Sequence, residues 1–183
     1  MTVAFSAANP DSVVELANRH VEKMLAEGAP VRDVLARLVA AAEQIAGEGC
    51  VASILVLDAD GLLRNGSSPN LPADYLNAID RLKPHPTLGT CAAAAASGEM
   101  VLTPDFQDDS KWAELKHLPL SIGFRGAWSM PIKDLSGRVL GTFGTYYRER
   151  RTPRLDEIDA TAIFVALAAR ALSAPGASWE ADS

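Results

Sequence analysis

The stretch that most constrains the fold runs from Gly126 to Tyr147, GAWSMPIKDLSGRVLGTFGTYY. It reads as two strands joined by a polar turn. The first, Phe124 to Ile132, carries Pro131 near its end, a residue confined to strand ends, edges and bulges. The turn, Lys133 to Gly137, supplies the Asp, Ser and Gly that tight turns use. The second strand, Arg138 to Tyr147, is rich in β-branched and aromatic residues and holds Gly141 and Gly144. Glycine inside a strand gives up packing, so two of them imply that something approaches the backbone closely. With few charges on either face, the hairpin belongs at the centre of a sheet, covered by other segments.

The rest of the chain supplies the cover. Asp11-Ser12 caps a helix to about Glu27, with Val13, Leu16, Ala17, His20, Met24 and Leu25 on one stripe. Pro30 opens a second helix, with Val31, Leu35, Leu38, Ala42 and Ile45 in phase, stopped by Gly47 and Gly49. Cys50 to Leu57 is a continuous apolar run, a buried strand that pairs through Asp58-Ala59-Asp60-Gly61 with Leu62 to Ser67. Leu71 to Leu82 has helical spacing. Lys83 to Gly89 is irregular. Thr90-Cys91 opens an alanine helix closed by Gly98, followed by a short strand, Met100 to Thr103. Asp105 to Ser110 is a polar loop, and Lys111 to Leu115 a helical turn with Trp112. Thr152-Pro153 caps a last helix, Arg154 to Ala174, with acidic residues in its first turns. That helix is apolar nearly all round, so it packs on the sheet and on another helix. Strands joined mainly as hairpins predict an α+β architecture: a central antiparallel sheet with helices segregated to its faces. The divisions expected are a helical extension over 1–28, a domain over 29–174 and a polar tail over 175–183, where Trp179 reads as a tail residue.

Composition sets limits on function. The chain has 183 residues, 48% of them apolar, enough for a sizeable core. A net charge of −6 provides no basic footprint for nucleic acid. The one basic cluster, Arg148 to Arg154, reads as a solvated loop. Two cysteines, Cys50 and Cys91, are too few for a disulfide framework or a four-cysteine zinc site. No signal peptide is legible, and the longest uncharged run near the end falls short of the about 20 residues that span a bilayer. A cytoplasmic protein with reduced thiols is the expectation.

Four motifs in order resemble one family. They are Ser53 to Asp58 followed by Asp60-Gly61; Leu88-Gly89-Thr90-Cys91 with the alanines after it; Gly123-Phe124-Arg125 with Trp128 to Ile132; and Gly137 to Phe143 with Tyr146-Tyr147. Together, from about Val51 to Leu172, they resemble the GAF domain, the small-molecule sensory module of bacterial signalling proteins. The resemblance implies terminal helices on one face of the sheet. It implies a ligand cavity on the other, roofed by the Leu71 to Leu118 region. Ala92 departs from the glycine that many relatives carry after the cysteine position.

The resemblance also frames the question of catalysis. One branch of the family reduces free methionine sulfoxide through paired cysteines, and Cys91 matches one of them. The segment where the other belongs, Asp105 to Gly123, has none, and Cys50 reads as a small core hydrophobe inside a strand. The phytochrome-like branch binds a bilin through a cysteine–histidine pair that is missing here. His20, His85 and His117 read as packed or exposed side chains. No hydrolase motif or metal-binding His/Asp motif is present. The expected function is a sensory domain that binds a small molecule without turnover; the alternatives are a dimerisation scaffold without ligand and a cysteine-dependent reductase of free methionine sulfoxide. No cofactor is specified.

The sequence places the ligand, a small molecule or anion, at the start of the alanine helix. The first backbone N–H groups there, around Thr90, Cys91 and Ala92, lack helical partners, and the dipole is positive. Trp128 and Phe143 of the hairpin are expected as apolar walls, with Tyr75 and Trp112 at the sides. Excess apolar surface on the terminal helices predicts a homodimer that signals to a downstream protein.

Overall fold

The structure, a computed structural model, describes residues 9–180. Five strands form one antiparallel sheet: β1 Val51–Leu57, β2 Leu63–Ser67, β3 Val101–Thr103, β4 Gly126–Lys133 and β5 Val139–Tyr147. Their spatial order is β2-β1-β5-β4-β3. The expected hairpin is β4–β5, and β5 is the middle strand, paired to β4 on one side and β1 on the other. Pro131 is tolerated because β3 pairs only with Ala127 to Ser129, so β4 runs on past it as an edge. The connecting turn is closed by Asp134, whose Oδ1 accepts from the Ser136 and Arg138 N–H groups.

Both strand glycines are explained by close approaches. An ideal Cβ at Gly141 would lie 2.2 Å from the Leu55 carbonyl oxygen on β1. One at Gly144 would lie 3.1 Å from Cys91 Sγ.

Among the described residues six helices cover the sheet: α1 Pro10–Ala26, α2 Val31–Ala46, α3 Ala73–Ile79, α4 Thr90–Ser97, α5 His117–Ser121 and α6 Leu155–Ser173. The terminal helices α1, α2 and α6 share one face. Val13, Ala17 and Val21 of α1 are buried in the same core as α2, α6 and the strand residues Ala52, Ile54, Val56, Ile132 and Phe143. The Phe143 and Phe164 rings stack there at 6.3 Å. As its all-round apolar surface requires, α6 packs on β4 and β5 as well as on α1 and α2. The short helices α3, α4 and α5 and a 3-10 turn at Ser110–Trp112 lie on the opposite face, with the loops. Among the described residues no helix is long and apolar enough to cross a membrane.

Several local expectations are corrected. The side-chain cap of α1 comes from Asn9, whose Oδ1 accepts from Asp11 N–H, two residues before the expected Asp11-Ser12. Cys50 lies just before β1, half-buried, with its thiol directed at the Ala46 carbonyl. The start of α6 is closed by Glu157, which reaches back to the Arg154 N–H at 2.8 Å, so Thr152 is not its cap. The helix α5 was not expected. The Arg148 to Arg154 cluster is the largely exposed loop expected, but its arginines also staple it to the fold. Arg148 lies 4.5 Å over the Phe124 ring, and Arg150 pairs with Asp105 at 2.8 Å. Arg151 pairs with the buried Glu157, and Arg154 donates to the Ile45 carbonyl. Trp179 is more than a tail residue: the chain turns at Pro175-Gly176 and returns it, half-buried, against the core.

Candidate functional site

Strand alternation decides which side chains meet on the loop side of the sheet. On β5, Tyr146 belongs to the loop-side core, whereas Phe143 belongs to the helix-side core and Tyr147 hydrogen-bonds Glu157 of α6. The contact between Cys91 and Gly144 places the even-numbered positions, Thr142, Gly144 and Tyr146, on the loop side. On β4 the same side holds Ala127 and Ser129.

Five of the seven residues proposed from sequence gather there: Tyr75, Thr90, Cys91, Ala92 and Trp112. Trp128 and Phe143 do not. Trp128 is buried against Ala46 and Tyr147 on the helix side, and Phe143 stacks on Phe164. Their strand positions fix this, since a shift of one residue exchanges faces. Tyr146, Phe106, Phe124, Ser129 and Thr142 join the site instead. The loop-facing strand residues were legible once Cys91 was set against a strand glycine; Phe106, in a polar loop, gave no signal.

The start of α4 is not an open anion site. Gly89, with φ of 96°, delivers the chain into the helix. Trp112 covers that turn: its ring atoms lie within 3.5 Å of where a Gly89 Cβ would be, and Nε1 donates to Thr90 Oγ1 at 2.7 Å. Thr90 Oγ1 also shares a 2.8 Å hydrogen bond with Thr103.

Deeper in, aromatic rings fill much of the space. Tyr75 and Tyr146 meet edge to face with their hydroxyls 2.9 Å apart. Phe124 lies 5.3 Å from Tyr146, and Phe106 lies 4.6 Å from Trp112. Burial raises both tyrosine hydroxyls, so they remain neutral hydrogen-bonding groups. Ser129 Oγ is 3.4 Å from Cys91 Sγ. Burial pushes the Cys91 thiol up, outweighing the Ser129 and Thr142 hydroxyls beside it. A sulfur held as thiol is a poor nucleophile. Thr142 Oγ1, on a residue with 0% exposure, makes no hydrogen bond of standard geometry; the Cys91 thiol, a weak partner, is its polar neighbour. The three histidines stay outside: His20 Nδ1 accepts from Arg37, His85 Nδ1 accepts from the Thr87 N–H, and His117 is exposed.

The comparisons agree with this geometry. A family model described as "GAF domain" matches residues 28–173. The methyl sulfide methyltransferase-associated sensor of Methanosarcina acetivorans is 31% identical over 145 residues, covering 79% of this chain; the chain spans 14% of that protein's length. Among solved structures, one described as the structure of the GAF domain has a TM-score of 0.72 at 14% identity, covering 93% of this chain and 98% of that one. The free methionine-R-sulfoxide reductase of Neisseria meningitidis, solved with its substrate, gives 0.65 at 17% identity, covering 92% and 93%. At such identities these structures establish the fold alone. The sheet order, the helix layers and a family match over most of the chain lead to one assignment: this chain belongs to the GAF domain family.

Proposed function

We propose that the chain is a sensory module that binds a small neutral molecule in the loop-side interior, among Tyr75, Cys91, Ser129, Thr142 and Tyr146. The observation that carries this reading is Thr142 Oγ1, fully buried on the middle strand outside hydrogen-bond geometry with any group, with only the weakly bonding Cys91 thiol beside it. An unsatisfied buried hydroxyl costs about 1–3 kcal/mol, and a ligand that hydrogen-bonds it recovers that cost. The roof of Thr90, Ala92 and Trp112 has to shift to admit a guest, because aromatic rings occupy the space when it is closed. These five lining groups are uncharged, and an anion buried among them would lack a counter-charge. A neutral ligand therefore replaces the anion expected from sequence.

The module acts by binding and not by turnover. Cys91 is held as thiol, and no second cysteine lies between Asp105 and Gly123. Thr142 and Phe143 are neighbours on β5 that face opposite layers, which couples the ligand side to α6 through the Phe143–Phe164 stack. Output to a downstream protein runs through a homodimer of terminal helices. Leu16 and Ile163 remain 59% and 41% exposed on α1 and α6, although most of the apolar stripes are spent within the chain. A monomeric mass by light scattering at high concentration contradicts the dimer.

A thermal-shift screen of neutral metabolites tests the reading. Hits raise the melting temperature of the wild type. Thr142→Val, which removes the unpartnered hydroxyl, stabilises the free protein by about 1 kcal/mol and abolishes the response. A screen without hits, in a folded dimer, favours the scaffold reading.

A further inference from the structure

A second groove lies apart from the loop-side interior, at the β2 end of the sheet. It has a volume of about 490 Å³ and lies between α2, β2, α3 and the returning tail. Arg32, Arg64, Asn65, Asn77, Asp80 and Trp179 are among the residues on its walls. Arg64 is satisfied, paired with Asp80 at 2.8 Å and Asp58 at 3.4 Å. Arg32 makes no ion pair among the described residues. Four buried side-chain polar atoms of the described residues lack a hydrogen-bond partner, and two belong to this groove: the donor Arg32 Nε and the acceptor Asn65 Oδ1. Neither reaches solvent, so water does not serve them in this closed arrangement.

The tail provides the closure. After α6 the backbone is extended at Ala174 and turns at Gly176, with φ of 74°. Trp179 then packs on the core, with its indole forming one wall of the groove. No helix or strand holds residues 174–180.

We propose that this groove is a separate ligand site for a small carboxylate that also bears an N–H donor, as a free amino acid does. The carboxylate meets the unpaired Arg32 guanidinium, the N–H group meets Asn65 Oδ1, and Trp179, which closes the groove when it is empty, moves aside to admit the molecule and packs against it. A guest that supplies both missing partners replaces a closed state that supplies neither.

The test titrates L-asparagine into the full chain and follows the Trp179 indole N–H and Arg32 Nε–H by two-dimensional NMR, with Trp179→Phe assigning the first. The expected result is a saturable shift of both signals. Succinate, which has carboxylates but no N–H donor, binds roughly tenfold more weakly. Arg32→Met and Asn65→Leu each weaken L-asparagine by roughly tenfold or more, whereas Thr142→Val, on the middle strand away from the β2 edge, leaves it unchanged. Arg32 is half-exposed on α2, and Arg32→Lys provides a second, charge-preserving variant that binds more tightly than Arg32→Met. No saturable shift, equal binding of succinate, or binding that survives Arg32→Met overturns the proposal. So does a shift confined to Trp112, which would place the guest in the loop-side interior.

Discussion

The contact between Cys91 and Gly144 fixes which face of β5 looks into the loop-side interior, and Gly144→Ala tests it. The added Cβ would lie 3.1 Å from Cys91 Sγ, where ordinary contact begins near 3.4 Å. The sulfur has little room to yield. It sits on α4, whose Ala92 to Ala95 are buried, and it is backed by Ser129. Overpacking of this kind costs about 1–3 kcal/mol. Against it, alanine restricts the unfolded chain and returns about 0.4–1 kcal/mol, since Gly144 does not adopt positive φ. The single variant is therefore destabilised by about 1–2 kcal/mol. In a Cys91→Ala background the obstructing sulfur is gone, and the same change stabilises by about 0.5 kcal/mol. Urea denaturation of the wild type, both single variants and the double variant closes the cycle. Equal effects of Gly144→Ala in the two backgrounds, within about 0.3 kcal/mol, refute the facing assignment.

Two other residues give independent checks. Tyr75→Phe leaves the buried Tyr146 hydroxyl without its partner and destabilises by about 1–2 kcal/mol. Removing both hydroxyls costs less than the sum of the single changes, as denaturation midpoints will measure. Asp105 is held below the usual carboxylate range by its hydrogen bond from Arg125, helped by the Gln107 N–H and Arg150. A depressed folded value gives stability that is full above the unfolded pKa and lost as pH falls through the folded one. The stability gap between wild type and Asp105→Asn is thus constant from pH 6 to 8 and closes below about pH 4, as urea midpoints across that range will register.

Local chemistry carried most of the architecture. The apolar run at Val51, the turn chemistry of Asp134 and Gly137, and the close approaches implied by strand glycines at 141 and 144 are local signals, so the central hairpin and its neighbours were legible. The facing of Trp128 and Phe143 was not. An all-apolar strand buried on both sides loses the alternation that marks inside from outside, and only the long-range contact with Cys91 breaks the tie. The anion site at α4 failed for a related reason. An open helix start and one covered by Trp112, 22 residues away, read alike until the chain is folded. The arginine cluster is charged locally, yet its partners Asp105, Phe124 and Ile45 come from three distant segments. The helix α5 carries Pro119 within five residues, too short and too irregular for periodicity to signal it.

The central claim is that a small neutral molecule occupies the loop side of the sheet. The most direct measurement is a crystal structure of the full chain bound to a hit from the thermal-shift screen. The account predicts ligand density on the face of β5 that carries Thr142 and Tyr146, with a polar atom within hydrogen-bond distance of Thr142 Oγ1 and Trp112 displaced from Gly89. Ligand density elsewhere, with the Tyr75–Tyr146 pair closed and Thr142 still unpartnered, would contradict it.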